Sequence, residues 1–79
     1  MRSDRRLVER AQQGDGEAFN ELVRQWEKPI YNFILRTIGG NRDESMDLCQ
    51  DVFLKAYSQL RSLKDLDRFQ PWLYRIAHN

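Results

Sequence analysis

The sequence predicts an all-α fold, a compact bundle of three to four helices. Apolar residues recur at helical spacing along nearly the whole chain, no apolar–polar alternation long enough for a strand interrupts them, and glycines with neighbouring capping side chains punctuate the pattern at helix-length intervals. Seventy-nine residues allow one small domain, and a composition 41% hydrophobic and 32% charged, with four Gly and two Pro, is globular rather than disordered or low-complexity.

A first helix is expected from about Asp4 to Gln13, with Leu7, Val8 and Ala11 on one face. Gly14 supplies the left-handed position that ends it, and Asp15 is placed to cap the next helix. The second helix carries Phe19, Leu22, Val23, Trp26, Ile30, Phe33, Ile34 and Ile38, an unbroken apolar stripe. Pro29 lies inside it and predicts a kink rather than a stop, because the stripe continues in phase, and Gly39-Gly40 ends it.

The third helix opens with Asn41 three residues before Glu44, with Asp43 as a rival cap. Its inner face is Leu48, Cys49, Val52, Phe53, Ala56, Tyr57 and Leu60, adjacent pairs repeating every four residues. The pattern lapses from Arg61 to Arg68 and resumes with Phe69, Trp72, Leu73, Ile76 and Ala77. Asp67 is a candidate cap for this fourth helix, and Pro71 suits a first turn, so the start falls within a residue or two of Gln70. The core is expected to centre on Phe19, Leu22, Trp26, Phe33, Val52, Phe53, Tyr57, Trp72 and Ile76. The chain stops at His78-Asn79 with its last helix still in phase, as a piece cut from a longer protein does.

Several function classes drop out. One cysteine closes no intrachain bridge, and no Cys or His cluster has metal-ligand spacing, so neither a metal nor another cofactor is expected. The single histidine, His78, sits at the end of the chain, and no Gly-rich phosphate loop follows a strand, which argues against an enzyme. No apolar run reaches the ~20 residues that span a bilayer, and the start, Met1 to Arg6, leads into a charged helix rather than an apolar leader. A cytoplasmic protein with no membrane insertion is the natural reading. Thirteen Lys and Arg against twelve Asp and Glu leave a net charge of +1, so any nucleic-acid contact must be local.

Two surfaces stand out. On the outer face of the third helix Asp47, Gln50, Asp51 and Leu54 lie at i, i+3, i+4 and i+7, one strip in which the charges can set register and the leucine can give desolvated contact. Charge is also uneven: residues 41–57 carry −2, whereas residues 58–79 carry +2 beside Phe69, Trp72 and Tyr74. Basic groups near aromatic rings or an unoccupied pocket suit single-stranded DNA, although Phe69 and Trp72 at helical spacing read first as core.

Three segments, Gly14-Asp15-Gly16-Glu17-Ala18-Phe19, Asp47 to Tyr57 (DLCQDVFLKAY) and Trp72 to Asn79 (WLYRIAHN), resemble the second conserved region of bacterial extracytoplasmic-function sigma factors in order and separation. The resemblance covers the chain from about residue 5. It implies a transcription initiation domain of the sigma-70 family, spanning residues 1–79 without the remainder of its last helix or the separate domain that reads the minus-thirty-five element. It implies docking on the clamp helices of the largest catalytic subunit of the RNA polymerase core through Asp47, Leu48, Gln50, Asp51, Leu54 and Lys55. It further implies recognition and melting of the minus-ten promoter element, with the non-template single strand held near Gln59, Leu63, Lys64 and Asn79 and its phosphates met by Arg61 and Arg75. An anti-sigma protein is the implied inhibitory partner. Where similar sequences often carry Phe followed by Arg-Gly, this one reads Leu63-Lys64-Asp65, so Leu63 offers no ring on which a base can stack.

The residues by themselves leave two other readings. A helical protein-interaction adaptor without DNA binding can use the same acidic strip. A helix-turn-helix duplex reader fits less well, because Gly39-Gly40 joins long helices and the basic face is thin.

Overall fold

The computed structural model describes residues 3–79, with side chains from Arg5 onward; Met1 and Arg2, expected to lead into the first helix, lie outside the described residues. Four α-helices are described: α1 (Ser3–Gln12), α2 (Gly16–Thr37), α3 (Arg42–Gln59) and α4 (Phe69–His78). A connector containing two 3-10 turns, Leu60–Ser62 and Leu66–Arg68, joins α3 to α4.

The α1–α2 corner is built on Asp15. Gly14, at φ +98°, ends α1 in the left-handed region, and the Asp15 N–H donates to the Arg10 carbonyl at 3.0 Å while Gly14 N–H donates to Ala11 at 3.0 Å. These two bonds satisfy carbonyls that the helix end leaves free. The Asp15 carboxylate then caps α2, accepting from the N–H groups of Glu17 and Ala18, and it also accepts from Arg10 Nε at 3.0 Å and Nη2 at 2.7 Å. One residue thus closes one helix and opens the next.

The Arg10 hydrogen bond and the Ala18 N–H, aided by Glu17 N–H and the nearby guanidinium charge, hold the Asp15 carboxyl below its ordinary value despite some desolvation. A carboxyl depressed on folding adds stability that is complete above the unfolded value of about 3.9 and is lost as pH falls through the lower folded value. The melting temperature is therefore expected to drop as the pH is lowered below about 4. In Asp15→Asn, which still caps but does not ionise there, the drop should be shallower. Identical pH profiles for the two proteins, followed by circular dichroism, would remove Asp15 from the acid response.

Helix α2 runs through Pro29 without interruption, and Gly39, at φ +84°, ends it while Gly40 N–H donates to Leu35 at 2.9 Å. Asn41, rather than its rival Asp43, caps α3 by accepting from Glu44 N–H at 2.9 Å. The expected cap of α4 is different. Asp67 does not cap it; its carboxylate meets Arg5 on α1 at 3.1 Å, and Asp65 instead accepts from Asp67 N–H. The chain enters α4 from a 3-10 turn, in which Arg68 N–H donates to Asp65 and Phe69 N–H to Leu66. Such i→i+3 bonds serve in place of a side-chain cap.

Leu22, Ile30, Leu73 and Val8 are fully buried where α1, α2 and α4 meet, and Val52, Phe53 and Ala56 bring α3 onto them. Of the expected core, Phe19, Leu22, Val52 and Phe53 are buried, while Trp26, Phe33, Trp72 and Ile76 are half-buried against it. Edge-on ring contacts tie α2 to α4: Trp26 with Phe69 and Tyr74, and Phe33 with Tyr74 at 5.2 Å between centroids. Pairs of this geometry add about 0.5–1.5 kcal/mol each beyond area burial. Tyr57 departs from expectation. It is 63% exposed, one edge against Phe19 at 5.0 Å, because it lies on the last turn of α3 beside the first turn of α2. Helical phase places it on the inner side, but α2 offers it only one ring.

Candidate functional site

Asp47, Gln50, Asp51, Leu54 and Lys55 all project from one uninterrupted helix and are all exposed. None of the three charged groups takes part in an ion pair among the described residues, so the carboxylates of Asp47 and Asp51 keep their full capacity for an outside partner. Leu48 differs from the other five expected docking residues: it is half-buried and packs against the core, so it supports the strip more than it belongs to it.

Beside the strip the structure adds something the sequence reading missed. Met46, Leu54 and Tyr57 are the large hydrophobic side chains left exposed among the described residues, at 56%, 68% and 63%, and all three are on α3. They border a groove of about 670 Å³ between α2 and α3, floored by Val23 and Phe53 and including Gln50. Isolated exposed apolar residues are ordinary; three along one groove mark a contact surface. A row of Met46, Gln50 and Leu54 at i, i+4 and i+8 was the available signal. Cys49 also reaches this groove, but as a core residue whose Sγ lies 3.7 Å from the Glu27 carbonyl. Burial, seconded by the Glu27 charge, pushes its thiol pKa up, which keeps it protonated and unreactive.

The residues expected at DNA fall into two groups. Gln59, Arg61 and Lys64 are exposed at the end of α3 and in the connector, whereas Arg75 and Asn79 are exposed on and just after α4. No hydrogen bond or ion pair joins the two groups among the described residues. Leu63 corrects the expectation. It is only 8% exposed and belongs to the hydrophobic core, because the backbone becomes extended after the 3-10 turn and carries the side chain inward. It can shape a surface but has little to offer a base. Phe69, at 3% exposed, is likewise core, and Trp72 packs against it with centroids 5.8 Å apart. A pocket of about 310 Å³ lies instead between the end of α1 and the end of α3, lined by Gln12, Gly14, Tyr57, Ser58 and Arg61 among others. Its Gln12, absent from every sequence expectation, donates to carbonyls of the connector.

Among the described residues no helix is long and apolar enough to cross a membrane.

Comparison with known proteins identifies the family. The chain is 40% identical over 77 residues to the ECF RNA polymerase sigma-E factor of Haemophilus influenzae, covering 98% of this chain and 40% of that protein. It is 41% identical over 76 residues to the RNA polymerase sigma-H factor of Pseudomonas aeruginosa, covering 96% and 39%, and 39% identical over 77 residues to the ECF sigma-E factor of Escherichia coli K12, covering 98% and 39%. The chain thus spans about two fifths of the length of these curated relatives. Among solved structures it is similar to an engineered region 2 of sigmaE, determined by NMR in complex with GTAAAA, with a TM-score of 0.86 and 42% identity over 96% of this chain and 78% of that one. The sigma-70 region 2 family model matches residues 22–79, from the first buried turns of α2 through the last helix, and the chain belongs to that family.

Proposed function

We infer that this chain is the part of a sigma factor that attaches to the RNA polymerase core through α3 and captures the non-template strand of the minus-ten promoter element with its last third. The observation that carries the reading is the likeness to a region 2 in complex with GTAAAA, which extends over 96% of the chain. GTAAAA cannot pair with itself, so that hexamer alone is a single strand. On this reading Asp47, Gln50, Asp51, Leu54 and Lys55 grip the clamp helices, with Leu48 behind them, and the apolar groove beside them extends the contact. The same exposed Met46 and Leu54 suit an anti-sigma inhibitor that competes for this face.

The mechanism is capture rather than catalysis, and the protein is not an enzyme on this reading. Unstacking costs a few kcal/mol per base, and pocket contacts and stacking offset it by about 1–3 kcal/mol per base. Arg61, Lys64 and Arg75 neutralise phosphates, Gln59 and Asn79 present amides to base edges, and Leu63 supports the surface from within. Because the chain's net charge is only +1, discrimination must come from these local groups.

The test is binding of labelled GTAAAA and of the scrambled hexamer AAGATA to the chain across a salt series. GTAAAA is expected to bind more tightly at every salt concentration. Each phosphate contact adds about 0.7 to the slope of log affinity against log salt, so Lys64→Ala should lower that slope by about 0.7 without altering the preference. Equal affinity for the two hexamers would sink the DNA reading and leave the adaptor.

A further inference from the structure

The connector between α3 and α4 is held in shape from outside itself. Gln12, half-buried on the last turn of α1, donates from its single amide nitrogen to the Leu60 carbonyl at 2.9 Å and to the Leu63 carbonyl at 2.8 Å. An amide NH₂ has two hydrogens, so both are committed. Leu63 N–H also closes onto the Leu60 carbonyl at 3.1 Å. A side chain 48 and 51 positions earlier therefore bridges the two ends of the turn that carries Arg61 and Ser62 and leads into Lys64. Gln12 and Arg61 also line the same pocket of about 310 Å³. The other α1 strap on the connector, Arg5 with Asp67 at 3.1 Å, has side chains 58% and 72% exposed and is a solvated pair of little consequence.

We propose that Gln12 is the positioning residue of the DNA-capturing connector, its amide fixing the backbone of residues 60–63 in the form from which Arg61 and Lys64 meet a strand. The inference rests on the proposed function. Its physical basis is preorganisation: a turn already fixed in the free protein loses less conformational freedom when a strand binds, and fixed side-chain origins distinguish one strand from another. Only a side chain with two donors at that reach can serve. Methionine matches glutamine in length and has no donor, whereas lysine has three.

The test compares the wild type with Gln12→Met, Gln12→Lys and, as a control, Arg5→Ala. The measurements are Kd for GTAAAA and for AAGATA, and amide hydrogen exchange at Leu63 against that at Val52 and Ala56. In Gln12→Met the Kd for GTAAAA is expected to rise about fivefold to tenfold while that for AAGATA changes less than about twofold. Exchange at Leu63 should quicken, with Val52 and Ala56 unchanged. Gln12→Lys should restore the ratio of the two Kd values, and Arg5→Ala should leave everything in place. A purely structural role moves both affinities together and spares their ratio, so a Gln12→Met protein that keeps the wild-type ratio overturns the proposal. Should Gln12→Met fail to fold, restoration of both the fold and the ratio by Gln12→Lys supports it, and restoration of the fold without the ratio overturns it. A wild type indifferent to the two hexamers defeats the DNA reading itself, and this inference with it, before any variant is compared; a discriminating wild type with an equally discriminating variant defeats only the role of Gln12.

Discussion

Reversing Asp51 to Arg is expected to abolish binding of the chain to polymerase clamp helices while leaving its fold intact. Asp51 is exposed in the middle of α3, and it takes part in none of the ion pairs among the described residues. Nothing inside the domain depends on its charge, so stability should move by no more than about 0.5 kcal/mol. At an interface the same substitution removes an attraction and adds a repulsion against whatever basic group the carboxylate meets. Placing like charges across a contact costs several kcal/mol, which corresponds to a loss of roughly 30-fold or more in affinity. Asp47, four residues earlier on the same strip, should behave alike, whereas Glu44, whose backbone is engaged in the cap of α3, is a control at the far end of the helix. The measurement is a pull-down or titration with isolated clamp helices beside a thermal melt. Retained binding with an unchanged melt assigns docking elsewhere; lost binding with a lowered melt shows that Asp51 has a structural role that its exposure does not reveal.

How far the sequence reaches into this structure depends on how far apart the interacting residues are. The corner at Gly14-Asp15, the Gly39-Gly40 stop and the Asn41 cap are settled within five or six residues, and each was legible because a left-handed position or an N-terminal oxygen acceptor admits few residue types. The exposed strip on α3 was legible for the same reason: helix phase alone puts positions 47, 50, 51 and 54 together. Phase does not say how far the neighbouring helix extends, and so it points Tyr57 inward and gives no notice of Met46, although both are exposed. Asp67 is a reasonable cap on local grounds, but the 3-10 turn Leu66–Arg68 takes it up and leaves Arg68 at the start of α4. Leu63 and Gln12 are the clearest cases. A leucine in a lapsed pattern gives no periodicity from which to read its burial, and a glutamine on a charged helix gives no sign that its amide reaches two carbonyls in the second half of the chain.

The fold should prove most sensitive at Leu73. This side chain is fully buried and lies on α4, a helix of ten residues that begins without a side-chain cap. Isolated helices shorter than about 12–15 residues are marginal in water, so α4 exists because its inner face is packed. Leu73→Ala removes three carbon atoms from the middle of that face at an expected cost of about 2–5 kcal/mol. At roughly 0.05–0.15 kcal/mol per residue, a domain of this length has some 4–12 kcal/mol in total. One truncation can therefore take anything from about a sixth of the stability to all of it, a fall of roughly 8–40 °C in melting temperature. Leu73→Met, which keeps the volume, should cost less than about 1.5 kcal/mol. Because Trp26, Phe69, Phe33 and Tyr74 bind α2 to α4 through ring contacts on either side of Leu73, loosening the one side chain should loosen them together, visible as a loss of near-ultraviolet circular dichroism in the native state. A Leu73→Ala protein within about 1 kcal/mol of the wild type would show that α4 is held by its rings alone and that the core ends at α3.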